Sequence, residues 1–169
     1  FDGDIDFINE LNYIHVEKFN ETGYVFNNWQ IGQSILFLPF FLVGHLHALI
    51  LNNMGYPIAV DGYSEPYHLW TAIASQTYVF FGILLLYQLL RKYYSRGPAI
   101  LAVLASWLAS PLVYYTFIRQ RMAHGSEFFL SVIFLTVWLH YRHSRKVLHH
   151  AVMGAVLGFL CMTRLVGAC

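Results

Sequence analysis

Residues 69–90, LWTAIASQTYVFFGILLLYQLL, run for 22 positions without a charged side chain. At about 1.5 Å per residue, a helix of that length covers the roughly 30 Å hydrocarbon core of a bilayer. Residues 31–51 (IGQSILFLPFFLVGHLHALIL) and 99–118 (AILAVLASWLASPLVYYTFI) have the same character. Weaker apolar runs follow at 128–141, extending back through Glu127, and at 147–163, with His149 and His150 at its entrance. The composition agrees, since 57% of the 169 residues are apolar and 11% are charged. An ordinary soluble domain has about a quarter of its residues charged, so this balance excludes that class. The reading is an all-α protein, a polytopic transmembrane helix bundle.

Charge is distributed unevenly. Through Asn28 six acids face Lys18 alone, whereas RKYYSR at 91–96 and RHSRK at 142–146 each carry three Lys or Arg beside a span end. The positive-inside rule puts both basic loops in the cytoplasm. Four spans then alternate: 67–90, 98–118, 126–141 and 147–166. DGYSEPY at 61–67, the loop IRQRMAHGSE and the terminal TRLVG fall outside. Residues 1–66 form a first external loop and residues 67–169 the four-span bundle. Arg119 and Arg121 depart from the charge rule on the outer face, and charges beside spans are commonly functional.

Within the first loop, residues 7–19 read as an amphipathic helix, with Phe7, Leu11 and Ile14 on one stripe. The run 31–51 lies in the interface or re-enters, because Pro39 removes a backbone donor and breaks the helix, and His45 and His47 are costly at mid-bilayer. The alternative is a true span with the acidic end inside. The chain starts without Met and stops at Cys169 where an apolar segment ends, so it reads as a fragment of a longer protein.

The outer face therefore gathers carboxylates (Asp2, Asp4, Asp6, Glu65, Glu127), cations (Arg119, Arg121, Arg164) and imidazoles (His68, His124). Acids in a first helical turn are ordinarily explained by the helix dipole. Beside a membrane face that also holds cations, they match a site for a phosphate-bearing lipid and an acceptor hydroxyl. Such chemistry needs a cation to hold the phosphate leaving group and a carboxylate to take a proton or bind a metal. The spacing of Asp2, Asp4 and Asp6 suits an oxygen-ligand cation as well as a base. No Gly-rich phosphate loop or nucleotide fingerprint occurs, and nothing points to nucleic acid. The nine histidines lack a metal-ligand spacing. Gly154 and Gly158 form a G-x-x-x-G pattern for close helix packing. Tyr114, Tyr115 and Phe117 are interfacial aromatics or a sugar-stacking surface.

The order of these segments resembles the polytopic C-type (GT-C) glycosyltransferases. It runs from an acidic loop through IGQSILFLPFFLVGHL, DGYSEPY, a span ending SPLVYYTF, external MAHG and the span FFLSVIFLTVWL. The likeness is closest to bacterial relatives of the protein O-mannosyltransferases and the lipid A aminoarabinose transferases. It implies a sugar moved from a polyprenyl-phosphate donor to a glycan, lipid or protein acceptor, on the periplasmic side of a bacterial inner membrane. It makes Asp4 or Asp6 the catalytic acid, with Asp2 the third candidate, and it requires no certain cofactor; a divalent cation on Asp4 and Asp6 stays open. It gives Arg164 to the lipid phosphate and His124 to the loop that opens a span, with Arg119, Arg121, Glu65 and His68 as further substrate-binding residues. Two departures stand out: Leu165 replaces a proline or glycine, and Glu127 falls three residues later than the usual second acid. A transporter or channel subunit is the alternative, and it expects broken helices or charges near mid-bilayer.

Overall fold

The computed structural model describes residues 31–164. The described residues are all-α, with six helices and no strand. They are α1 (Ile31–Asn53), α2 (Glu65–Leu90), α3 (Arg96–Leu108), α4 (Leu112–Phe117), α5 (His124–Tyr141) and α6 (Val147–Thr163). Two of them, α1 and α2, are long and apolar enough to cross a membrane. The apolar helices α3 and α6 are shorter, at 13 and 17 residues. Much of α1's apolar surface is left uncovered among the described residues; Leu42 and Leu46 are each 56% exposed. Contiguous apolar surface on that scale ordinarily meets a membrane or another chain.

Pro39 does not break α1, as the sequence reading expected; the helix runs 23 residues straight through it. Proline removes one hydrogen bond and crowds the preceding turn, and an apolar setting tolerates this where neighbours supply partners to the backbone. Tyr78 of α2 bonds the adjacent carbonyl, its hydroxyl donating at 2.7 Å to that of Leu36, one residue past the Ile35 carbonyl that the missing N–H would have served. Tyr78 is also ringed by Phe37, Phe40 and Phe129.

The run 98–118, expected as one helix, is two. Helix α3 ends at Leu108 and α4 begins at Leu112. Pro111 lacks the N–H that would continue the ladder. Ser110 occupies the gap instead, donating to the carbonyl of Ser106 at 2.7 Å and accepting from the backbone N–H of Leu112 at 3.2 Å.

Helix α2 is the central strut. Its N-terminal half packs on α1, which runs in the opposite sense: Leu36 and Phe37 meet Tyr78, while Gly44 approaches Pro66 and Tyr67. The turn between them is built locally. Gly55 and Gly62 both adopt φ +87°, a conformation that L side chains rarely take. Asp61 Oδ1 accepts the backbone N–H of Tyr63 and of Ser64, at 2.8 and 3.0 Å. Those bonds, led by the one from Tyr63, hold its carboxyl below the usual range.

From Ser75 onward α2 carries α5. A Cβ on Gly125 would lie 2.8 Å from Ser75 Oγ, and one on Gly82 would lie 2.7 Å from the Phe128 ring. Position 75 thus faces 125 and position 82 faces 128, so α2 and α5 run in the same direction. Their close approach leaves Ser75 Oγ and Ser126 Oγ buried without a hydrogen-bond partner among the described residues. Helix α6 returns antiparallel to α5, and its C-terminus meets the start of α1: a Cβ on Gly32 would come within 2.5 Å of the Met162 backbone. Gly154 and Gly158, whose spacing suggests close helix packing, meet nothing among the described residues.

Candidate functional site

This topology brings four chain segments to one end of α5. They are the first turn of α1, the loop 118–123, the first turn of α5 and the last residues of α6. Glu127 stands one turn after His124, an i, i+3 spacing that places both on one face. Arg164, immediately after α6, reaches both. Its Nη1 donates to Glu127 Oε2 at 2.8 Å and to His124 Nδ1 at 2.7 Å. All three side chains are part-buried, with Arg164 and Glu127 about a third exposed, at 32% and 31%.

Because arginine only donates, His124 Nδ1 is the acceptor and carries no proton. The ring stacks on Tyr115 of α4, with centroids 3.6 Å apart. Burial, and then the neighbouring Arg164 charge, push the His124 pKa below the ordinary imidazole value against the opposing pull of Glu127. The imidazole is therefore neutral at pH 7.

A second arginine–histidine pair has the same form. Arg121 Nη1 lies 2.7 Å from Nδ1 of His68, one turn into α2. Here too the arginine fixes the imidazole as acceptor. The backbone carbonyl of Arg121 accepts from Gln33 Nε2 at 2.7 Å. Gln33 and its neighbour Gly32 thus touch both the loop that carries Arg121 and the end of α6 that carries Arg164.

Between α3, α4 and α5 opens a groove of about 410 Å³. Tyr115, His124 and Glu127 form its polar wall, Ser106, Ser110 and Ser131 add hydroxyls, and Leu112 and Phe128 are apolar. Its lining is mostly apolar with a few convergent polar groups, as in small-molecule sites generally.

The structure thus brings together His68 with Arg121, and His124 with Arg164. It does not bring in Glu65, which is exposed in the first turn of α2 and makes no ion pair with a described residue. Arg119 is exposed as well, and its side chain has no partner among the described residues. Asp2, Asp4 and Asp6 lie outside the described residues, as does the amphipathic segment 7–19. No group of three His, Cys, Asp or Glu among the described residues is placed to hold a metal ion. His45 and His47 have protein partners instead, Tyr67 and Trp70.

Sequence reasoning counts Glu127 among the clustered carboxylates but gives it no role, although its i, i+3 relation to His124 is itself the signal. Gln33 carried no sequence signal, since its role depends on where the loop 118–123 folds. No protein-family model, curated protein or solved structure matches the chain.

Proposed function

We propose that the chain is part of a membrane glycosyltransferase that moves a sugar from a polyprenyl-phosphate donor to an acceptor hydroxyl. The observation that carries this reading is the anchoring of Arg164, beside a groove with a polar rim, at the end of the helices opposite the basic loops. A cation held in that position suits a phosphate leaving group, and the groove suits a lipid-borne substrate.

On this reading the chain forms a GT-C-like bundle with four spans, 67–90, 98–118, 126–141 and 147–166, following an external loop of residues 1–66. The site faces the periplasm of a bacterial inner membrane, and the basic turns at 91–96 and 142–146 face the cytoplasm. One of Asp4, Asp6 or Asp2 takes the proton of the acceptor hydroxyl. The hydroxyl oxygen then attacks the anomeric carbon, the bond from that carbon to the phosphate oxygen breaks, and the polyprenyl phosphate leaves against Arg164. Arg121, His68, Arg119 and Glu65 are the further substrate-binding candidates on this reading. A divalent cation, if used, is held by Asp4 and Asp6.

The test is consumption of polyprenyl-linked sugar by membranes carrying the full-length protein with Asp2, Asp4 or Asp6 changed singly to Asn. At least one variant is expected to lose 10²-fold or more, on the scale of about 10²–10⁴ for general acid–base catalysis. Unchanged consumption in all three sinks the reading.

One observation favours the second reading, a transporter or channel subunit. The break between α3 and α4 interrupts a run otherwise long enough to span, and discontinuous helices are characteristic of substrate sites in transporters. Uptake or leak of solute by proteoliposomes, without sugar transfer, would decide for it.

A further inference from the structure

We propose that Arg164, Glu127 and His124 form a proton-coupled phosphate site. A phosphate monoester draws Arg164 from Glu127, and His124 takes up a proton and replaces Arg164 as Glu127's partner. The inference rests on the transferase reading for its choice of anion.

Three features of the geometry lead to it. Arg164 commits one nitrogen, Nη1, to both of its partners, while Nε and Nη2 have none among the described residues. That remaining edge is the planar fork with which arginine grips phosphate oxygens in pairs. Next, the triad as it stands carries no net charge, because Arg164 and Glu127 cancel and His124 is an acceptor. An arriving phosphate would meet the Glu127 carboxylate at the same place, and a neutral triad holds a dianion poorly.

The third feature is a spare contact. His124 Nδ1 and Glu127 Oε2 stand 3.8 Å apart, beyond hydrogen-bond length but close enough to meet after a small side-chain rotation. A proton from solvent added at Nδ1 turns that atom from acceptor into donor. The contact with Arg164 is then lost and one with Glu127 gained, no covalent bond other than N–H changes, and the triad gains one positive charge.

The groups facing His124 among the described residues are few. Tyr115 lies against its ring from α4, Glu127 is on its own helix, and Arg164 is at the end of α6. From α2, Ser75 and Val79 approach the neighbouring Gly125, and neither is ionisable. The depressed His124 pKa fits this arrangement, since the proton is absent at rest and arrives with the anion.

The experiment titrates the full-length protein in detergent micelles with polyprenyl monophosphate and, in a second arm, with inorganic phosphate. Binding is followed by ³¹P NMR from about pH 5.5 to about pH 8, the range bracketing imidazole titration. The wild-type affinity is expected to rise as pH falls, by up to about tenfold per pH unit for one coupled proton. His124→Gln, with His124→Asn as a second variant in case the first misfolds, retains only the pH dependence of phosphate itself. Glu127→Gln binds more tightly than wild type near pH 8 and shows a flatter profile. A rise in both arms assigns the coupling to the phosphate group, and a rise with the lipid alone assigns it to lipid-borne phosphate.

Superimposable profiles for wild type and both His124 variants overturn the proposal, as does the absence of phosphate binding in both arms at every pH. Sugar consumption by the Asp variants judges the transferase reading separately. A protein that still turns over lipid-linked sugar with a flat binding profile removes the coupling alone.

Discussion

His124 links the stability of the fold to pH. Its pKa is lowered in the folded chain, so between that value and the ordinary imidazole value of about 6.5 the unfolded chain binds more protons than the folded one. Stability therefore rises with pH across this window; the contribution is full above about 6.5 and is lost as pH falls from there through the lower folded value. A thermal midpoint measured from about pH 5 to about pH 8 is expected to fall on the acid side in wild type and to fall less in His124→Gln. The sequence singles out this residue as a candidate, and it does the same for Arg121, Arg164 and His68. What the sequence could not display was the pairing. Residues 124 and 164 are separated by a whole helical hairpin, and their meeting depends on the length of α5 and α6 and the turn between them. Glu127 shows the opposite failure, because its local spacing was legible but was judged against an expected position in the preceding loop.

At the scale of elements, two helix contacts carry testable weight. The Tyr78 hydroxyl reaches the Leu36 carbonyl just ahead of Pro39. Tyr78→Phe keeps the aromatic packing and removes this bond, and it is expected to cost about 1 kcal/mol in reversible unfolding. The second contact is the start of α1 against the end of α6. Gly32→Ala drives a methyl group into the Met162–Thr163 backbone and is expected to cost about 1–3 kcal/mol, the usual range for overpacking. Gly154→Ala meets nothing among the described residues and is expected to stabilise by about 0.5–1 kcal/mol, the gain in helix propensity. Thermal or denaturant unfolding of the pair measures the difference. The helices themselves were largely legible, because long uncharged runs between basic turns leave few other readings. Their interruptions were not. Proline was expected to stop α1 at residue 39, yet it is accommodated there, with Tyr78 bonding the neighbouring Leu36 carbonyl. At residue 111, where Ser110 offers a local alternative to the ladder, the helix does stop.

For the whole molecule, the parallel course of α2 and α5 sends the turns after Leu90 and after Tyr141 to one end, away from the two arginine–histidine pairs. Cysteine labelling of the full-length protein tests whether a membrane separates the two ends. In a background with Cys161 and Cys169 changed to Ser, Lys92→Cys and Lys146→Cys are expected to react with an impermeant thiol reagent only after the cytoplasmic side is opened. Tyr63→Cys and Arg119→Cys are expected to react in intact cells. Labelling of all four from one side contradicts the proposed sidedness. Loop charge separates the basic turns from the two arginine–histidine pairs, and the structure holds them at opposite ends of α5, whereas the seat of α1 has no sequence signal. Contact order along α2 is a tertiary property, and an apolar run by itself does not state which half of a neighbour it will cover.

The tautomer fixed on both imidazoles has one more consequence. With Nδ1 committed to arginine, His68 and His124 keep their remaining proton on Nε2, so each ring has a donor left to offer. An alcohol bound by such a donor is engaged through a lone pair, and its own hydrogen points elsewhere. On the proposed transferase reading, such a donor would set the direction in which the alcohol gives up its own proton, and the carboxylate that receives it would belong on the far side of the alcohol oxygen from the imidazole.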